Sequence, residues 1–163
     1  MILFRSLLFN FTFYFGTIIG LTLLSPILLL PRKYNDWIPK AWSQWTSWIL
    51  KVITKVNYEV LNSHQLPKEP VIFAIKHQSA WDTIAPNHIL NHPVYILKKE
   101  LLWLFPFGVY LIRMGMIPLD RKGSIDSFKN MLRLGKKRLQ EGRPLVIFPE
   151  GTRSKPGEKN TYK

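Results

Sequence analysis

His77 is the residue of this sequence best placed for acid–base chemistry. It follows the apolar run of residues 71–75, a pattern typical of a buried strand, and Asp82 stands five positions further along. A carboxylate that accepts a hydrogen bond from one ring nitrogen would fix the tautomer of the imidazole and leave the other nitrogen to take a proton. We therefore interpret His77 and Asp82 as a catalytic pair in which the histidine deprotonates a substrate hydroxyl.

The spacing of this pair makes a demand on the local structure. Residues five apart on a regular helix differ by about 140° around the axis, so the two side chains can meet only across a bend or a helix entry. His-x4-Asp is also a short pattern that arises by chance. The alternative interpretation of His77 is an ordinary surface histidine.

A second set of residues is suited to binding an anion. Arginine forms bidentate hydrogen bonds with phosphate, and a glycine turn lets backbone amides approach an anion closely. We predict a phosphate pocket that includes Arg121 together with Gly151, Thr152 and Arg153, which follow a second buried-strand pattern at residues 144–148. Taken singly, such residues are more often a solvated arginine and a plain turn.

The composition restricts both the chemistry and the partners. The 163 residues include no cysteine, which excludes disulfides, a cysteine nucleophile and cysteine zinc ligands. The formal net charge of +13 fits an anionic partner such as nucleic acid, an acidic membrane surface or a phosphorylated substrate. We expect no nucleic-acid partner, because no recognised nucleic-acid motif accompanies the charge. We also expect no metal, since His88 and His92 have helical ligand spacing but only Asp82 as a nearby carboxylate.

The amino-terminal region indicates a membrane protein. Residues 7–30 carry no formal charge and exceed the about 20 residues that a helix needs to cross a bilayer. A cleavable signal peptide is the competing interpretation, and Pro26 also permits a re-entrant helix. We expect a retained membrane segment, with the active site on the cytoplasmic side.

Residues 37–53 hold four of the six tryptophans. On a helix that begins near Pro39, the apolar residues share one face, and they are Trp42, Trp45, Ile49, Val52 and Ile53. This pattern fits an interfacial helix lying on the membrane, and equally an amphipathic helix that covers the core of its own domain.

From residue 57 onward, strand patterns alternate with helix patterns. The alternation predicts an α/β domain with a central mixed sheet flanked by helices and with functional groups in loops at the carboxyl ends of strands. We place residues 1–56 in a region of membrane-anchoring and interfacial helices and residues 57–163 in a catalytic domain. The strands are predicted at residues 58–61, 71–75, 94–97, 116–119 and 144–148. The helical segments are predicted at residues 80–90, 101–112 and 124–140, the last with Ser124 as its N-cap.

Three stretches of the chain, taken in order, resemble a known family. His77-x4-Asp82, Gly115-x-Ile117-x3-Arg121 and Phe-Pro-Glu-Gly-Thr-Arg-Ser at residues 148–154 are similar to the first three blocks of the glycerolipid acyltransferases, in particular the 1-acyl-sn-glycerol-3-phosphate acyltransferases. The third block is the most specific, because a string of mixed residue types this long rarely arises by accident. The resemblance covers residues 71–154.

The resemblance implies a reaction. It implies transfer of a fatty acyl group from a thioester to the free hydroxyl of lysophosphatidic acid, which gives phosphatidic acid in phospholipid biosynthesis. The donor would be acyl-CoA or acyl-acyl carrier protein as a co-substrate, with no cofactor, and membrane lipids would surround the enzyme.

The resemblance also implies roles for individual residues. His77 would be the general base and Asp82 its orienting partner. The residues implied in binding the phosphorylated acceptor are Arg121, Glu150 and Gly151, with Thr152 and Arg153 as further candidates.

Two alternatives remain beside this function. The acceptor could be glycerol 3-phosphate or another lysolipid, or the chain could be a catalytically incomplete lipid-binding member of the family. Family members continue past the third block to a fourth, proline-containing apolar block, and this sequence stops at Lys163. We therefore expect the catalytic domain to be truncated at its carboxyl terminus.

Overall fold

The structure is a computed structural model, and it describes residues 1–120, 123, 125–158 and 161–162. Two residues singled out from the sequence, Arg121 and Ser124, lie outside the described residues. The chain divides into two compact units, Met1–Leu66 and Pro67–Lys163. The predicted domain boundary after residue 56 stays a prediction.

A long apolar helix opens the first unit. This helix, α1, spans Ile2–Leu24 and leads into a 3-10 turn at Ser25–Leu29, where Pro26 removes an amide donor from the helical pattern. By length and composition, Ile2–Leu29 is apolar enough to cross a membrane, and few of its side chains are buried. A helix in the core of a soluble protein would be mostly buried, so the exposed surface of α1 fits an apolar environment.

A second helix, α2, spans Ile38–Ile49 and packs on α1. The indole Nε1 of Trp42 donates a hydrogen bond to Thr17 Oγ1 at 3.0 Å. Gly16 lets the ring of Trp45 approach so closely that a Cβ at Gly16 would lie 2.5 Å from it. The two tryptophans therefore cover a neighbouring helix of their own unit, as in the second of the two interpretations.

Of the other residues on the predicted α2 face, Ile49 is buried, but Val52 and Ile53 beyond it are not. The α-helix gives way at Leu50–Thr54 to a π-helical turn, which changes the direction of the following side chains. Val52 is exposed as a result, and Trp48 and Trp37 also keep about half or more of their surface exposed. These exposed side chains could contact the membrane interface while Trp42 and Trp45 pack on α1, so the interfacial interpretation stays open.

A four-stranded sheet forms the centre of the second unit. Its strands are Ile72–Ala74 (β1), Val94–Lys98 (β2), Ile117–Leu119 (β3) and Leu145–Ile147 (β4), in the spatial order β1-β4-β2-β3. All three pairings of these strands are parallel. The α/β class is confirmed, with parallel pairing in place of the mixed sheet that we expected. The reason is that each connection contains helices that return the chain to the same edge of the sheet.

The connecting helices of this unit cover the sheet. They are Trp81–Ile84 (α3), Pro86–Ile89 (α4), Phe107–Arg113 (α5) and Ile125–Gln140 (α6), with a 3-10 turn at Lys99–Trp103. The core lies on β2, β3 and β4, where Val94, Ile117 and Val146 are completely buried. Gly135 brings α6 close to β4, because a Cβ there would lie 3.2 Å from the side chain of Leu145.

The strand predicted at residues 58–61 is wrong. These residues form no regular element, and Tyr58, Val60 and Leu61 are exposed. A strand is stabilised by hydrogen bonds and side-chain pairs with a neighbouring strand, so a short β-like pattern that finds no neighbour stays irregular.

Candidate active site

The candidate site lies where β1 and β4 end side by side. Ala74 at the end of β1 is paired with Ile147 at the end of β4, and Ile75 N donates to Ile147 O at 2.9 Å. Because the strands are parallel, the loops that follow them emerge at the same edge. His77 is the third residue after β1, and Glu150 is the third residue after β4. The pairing of β1 with β4 therefore brings these two residues together, although they are 73 positions apart in the sequence.

His77 and Asp82 meet across a bend, as their spacing requires. Their side chains are 15% and 19% exposed, and His77 Nδ1 lies 3.2 Å from Asp82 Oδ2. Residues 75–78 have no regular structure, and Asp82 is the second residue of α3. The bend replaces the helix that would have kept the two side chains apart.

Asp82 also holds the loop that carries His77. Its Oδ2 accepts hydrogen bonds from the backbone amides of Gln78 at 2.5 Å and Ser79 at 2.7 Å, and its Oδ1 lies 3.3 Å from Ser79 Oγ. Partial burial acts to raise the pKa of Asp82. The hydrogen bonds from Ser79, Gln78 and His77 outweigh it, so the pKa lies below the ordinary value of the carboxyl. Asp82 is therefore ionised at neutral pH and can stabilise a protonated His77.

This arrangement leaves one nitrogen of His77 for chemistry. With Nδ1 directed at Asp82, the neutral imidazole carries its proton on Nδ1 and its lone pair on Nε2. The ring also lies against Phe148, with 4.4 Å between the ring centroids and 30° between the planes. Both contacts restrict the rotation of the ring, which suits a general base of fixed direction.

Glu150 and Ser154 fix the backbone of His77 from the other side. Both are buried, at 4% and 3% exposed. Glu150 Oε2 accepts the backbone N–H of His77 at 3.3 Å, while the amide of Ser154 donates to the carbonyl of His77 at 2.8 Å. Ser154 Oγ lies 3.1 Å from Glu150 Oε2 and 3.2 Å from His77 O, so its single proton can serve either acceptor. These contacts give Glu150 a positioning role, and its predicted contact with substrate stays a prediction.

The other predicted acceptor-binding residues follow Glu150 in a turn. Gly151 has φ +66° and its amide donates to Phe148 O at 2.9 Å, a backbone conformation that suits glycine. Thr152 and Arg153 are exposed beyond it. Arg121 lies outside the described residues, so its place relative to His77 stays a prediction.

Gly115, which opens the second block, has a structural explanation. Its φ is +70°, and its carbonyl accepts a hydrogen bond from Arg138 Nε at 3.0 Å. A Cβ at this position would lie 2.7 Å from Arg138 Nη2. The glycine thus allows α6 to be tied to the start of β3, the strand that leads to Asp120 and Arg121.

Among the described residues, no group of three or more His, Cys, Asp or Glu side chains is placed to hold a metal ion. His92 contributes its backbone carbonyl to Arg143, and the ring of His88 lies 6.1 Å from that of Trp81. Helix α4 ends at Ile89 and His92 has φ +49°, so the two histidines do not share a helical face.

Sequence reasoning missed three residues of the site. Ser79 and Ser154 bind the two carboxylates, and Phe148 supports the ring of His77. Phe148 and Ser154 stand in the third block, at its two ends, so the block itself was the available signal. Ser79 had only its place between His77 and Asp82 to mark it.

The fold and the site define a class of protein: a parallel α/β domain that holds a histidine–aspartate pair at the carboxyl edge of its sheet. The family model described as "Acyltransferase" matches residues 57–163, and the chain belongs to this acyltransferase family.

Named relatives agree with this assignment. The chain is 30% identical over 161 residues to a 1-acyl-sn-glycerol-3-phosphate acyltransferase of Pseudomonas aeruginosa, covering 99% of this chain and 62% of the relative. It is 38% identical over 110 residues to the Helicobacter pylori protein of the same name, covering 66% of this chain and 44% of the relative. The chain thus spans less than two thirds of the length of either relative.

A solved structure shares the fold. The crystal structure of the 1-acyl-sn-glycerophosphate (LPA) acyltransferase PlsC from Thermotoga maritima superposes with a TM-score of 0.76 at 23% sequence identity, covering 100% of this chain and 68% of that one. The likeness extends over both units of the chain.

Proposed function

We propose that this chain transfers a fatty acyl group from an acyl thioester to the free hydroxyl of 1-acyl-glycerol 3-phosphate, giving phosphatidic acid. The observation that carries the proposal is the His77–Asp82 pair, oriented by both its side chains and its backbone, in a chain of the acyltransferase family. The names of the relatives supply the acceptor.

In the proposed reaction, Nε2 of His77 removes the proton of the acceptor hydroxyl as its oxygen attacks the thioester carbonyl. The new carbon–oxygen bond forms, the carbon–sulfur bond breaks, and the proton passes from the imidazolium to the departing thiolate. Asp82 stabilises the imidazolium, because it is ionised and lies 3.2 Å from Nδ1. No metal or cofactor takes part in this scheme.

Binding of the acceptor is proposed to depend on its phosphate. Arg121 and Arg153 would pair with the phosphate oxygens, and the turn at Gly151 and Thr152 would offer backbone amides. Glu150 would position His77 by accepting its backbone N–H, and it directly precedes the turn at Gly151. Holding the phosphate fixes the hydroxyl near Nε2, which lowers the entropic part of the barrier.

The proposed location is a membrane, with the site on the cytoplasmic side, where acyl-CoA and acyl carrier protein are found. The apolar helix α1 supports attachment to the bilayer. The chain has no cysteine, so Thr152→Cys introduces a single thiol. Its labelling by a membrane-impermeant maleimide is compared in inside-out and right-side-out vesicles, and we expect labelling in the inside-out vesicles. Labelling only in right-side-out vesicles would contradict the cytoplasmic placement.

An acceptor assay tests the function. Two proteins are compared, the purified chain and a form that includes any sequence that follows Lys163 in its gene. Each is given acyl-CoA or acyl-acyl carrier protein as donor and lysophosphatidic acid or glycerol 3-phosphate as acceptor. The release of free thiol measures the transfer. We expect rapid thiol release and phosphatidic acid with lysophosphatidic acid. A preference for glycerol 3-phosphate, or no transfer by either form with either donor, would refute the assignment.

A further inference from the structure

An exposed apolar tripeptide follows β2. Trp103, Leu104 and Phe105 are 85%, 54% and 80% exposed, so three large apolar side chains in succession stand on the surface of the second unit. Single exposed apolar residues are common on proteins. A contiguous group of this size is typical of a surface that contacts a partner or a membrane.

The backbone of this tripeptide is held by the fold. The amide of Phe105 donates to Trp103 O at 3.1 Å, and the amide of Gly108 donates to Leu104 O at 2.6 Å. Helix α5 then begins at Phe107 and buries one of its faces in the unit. The side chains are therefore presented outward from an ordered segment.

The tripeptide lies at the edge of the sheet that carries His77. β2 is parallel to β4, which in turn is parallel to β1, so the chain that leaves β2 at Lys98 emerges at the edge where β1 and β4 end. Helix α6 begins at this edge too, after β3. Its first turn adds two exposed apolar residues, Ile125 at 74% and Phe128 at 53%.

Basic side chains accompany these apolar groups. Lys98 is exposed at the end of β2, with 4.0 Å between its Nζ and Glu100 Oε1, and Lys129 is exposed next to Phe128. Residues 67–163 carry 17 Lys and Arg against 8 Asp and Glu. Tryptophan and phenylalanine side by side with lysine match the interface of an anionic bilayer, where rings lie at headgroup depth and ammonium groups reach phosphates.

We propose that Trp103, Leu104 and Phe105 are a membrane contact of the second unit, at which they enter the headgroup region of an anionic bilayer while Lys98 and Lys129 meet lipid phosphates. This contact turns the edge with His77 toward the lipid surface. A lipid acceptor would then reach Nε2 directly from the bilayer. Only this last consequence rests on the proposed function, because the contact itself needs no acyl transfer.

A fluorescent label tests the contact in the full chain. Leu104→Cys keeps both aromatic rings and, in a chain without cysteine, takes a single environment-sensitive label. Gln140→Cys is the matched control, exposed at the end of α6 and so at the opposite edge of the sheet. Both proteins are placed in phosphatidylcholine–phosphatidylglycerol vesicles that contain nitroxide lipids.

We expect a blue shift and several-fold stronger nitroxide quenching at position 104 than at position 140, with less quenching in vesicles without phosphatidylglycerol. Equal quenching at the two positions would overturn the proposal. A blue shift without quenching would overturn it as well, since the tripeptide would then be covered by polypeptide, either a second copy or another part of the chain.

A second variant checks that the aromatic rings carry the contact. Phe105→Asp beside the label at position 104 is expected to reduce the quenching several-fold, and unchanged quenching would contradict the proposal. The readout requires neither acyl donor nor acceptor. Strong quenching in a chain that transfers no acyl group would therefore refute the proposed function and leave the membrane contact standing.

Discussion

Asp82 serves His77 in two ways through one oxygen atom. Oδ2 faces Nδ1 of the imidazole and also accepts the backbone amides of Gln78 and Ser79. A neutral side chain at this position would stabilise the Nδ1–H tautomer of His77 less well, and it would form weaker hydrogen bonds with the loop that follows His77. The proposed chemistry and the local conformation of the site are thus coupled at a single carboxylate.

Asp82→Asn is predicted to lower kcat by about 100-fold or more, because an amide neither stabilises the imidazolium nor secures the Nδ1–H tautomer. KM for the acceptor should change little, since Asp82 has no predicted contact with it. Steady-state kinetics of the purified variant measure both. The control is Asp126→Asn in the exposed first turn of α6, and equal turnover of the two variants would contradict the role of Asp82.

Acid should remove the contribution of Asp82 to folding stability. A carboxyl whose pKa is lower in the folded than in the unfolded chain stabilises the fold above the unfolded value of about 3.9. This contribution is lost as the pH falls through the lower folded-state pKa. The difference in unfolding free energy between the wild type and Asp82→Asn should therefore shrink from pH 6 toward acid, as measured by urea unfolding. A constant difference would contradict the pKa direction.

At the scale of elements, Gly115 joins α6 to β3. Its positive φ favours glycine, and a Cβ there would displace the guanidinium of Arg138. Gly142 is a control for backbone strain without a side-chain contact, since its φ is +78° but a Cβ there would meet nothing within 4 Å.

Gly142→Ala is predicted to lower the unfolding free energy by about 1 kcal/mol through backbone strain alone. Gly115→Ala should lose about 1 kcal/mol more, because Arg138 must give up its hydrogen bond to Gly115 O. Urea unfolding of both variants measures the difference. Equal losses would show that the packing of Arg138 on Gly115 contributes nothing.

The first unit offers a second matched pair of glycines. Gly16 and Gly20 lie one turn apart on α1, and only Gly16 meets the ring of Trp45. Gly16→Ala should destabilise the packing of α2 on α1 by about 1–3 kcal/mol through overpacking, whereas Gly20→Ala should be neutral or stabilising. Thermal unfolding in detergent, followed by tryptophan fluorescence, compares them. A similar melting temperature for both variants would refute the close approach.

At the scale of the whole molecule, local pattern was sufficient to place His77 and Asp82. The buried-strand pattern before His77 and the need for a bend both follow from nearby residues. The contacts of His77 with Glu150 and Ser154 could not be predicted in the same way, because they depend on β1 pairing with β4. That pairing joins residues 73 positions apart, and no local pattern encodes it.

The fold shows the same division between local and long-range information. The strand patterns near residues 72, 94, 117 and 145 correspond to β1 to β4, because buried apolar runs between helices are a local signal. The pattern at residues 58–61 looked similar and failed, since none of the strands in the described part of the chain pairs with it. The direction of pairing was also beyond the local pattern, and it follows from the helical connections that return the chain to one edge.

The role of His77 as general base is tested by the turnover of His77→Ala in the acyl transfer assay, with His64→Ala as the control. His64 is exposed in a short 3-10 turn of the first unit. We expect His77→Ala to stay folded by circular dichroism and to lose activity by about 100- to 10,000-fold, as for removal of a general base, while His64→Ala keeps full turnover. Full turnover by folded His77→Ala would show that His77 is not the general base.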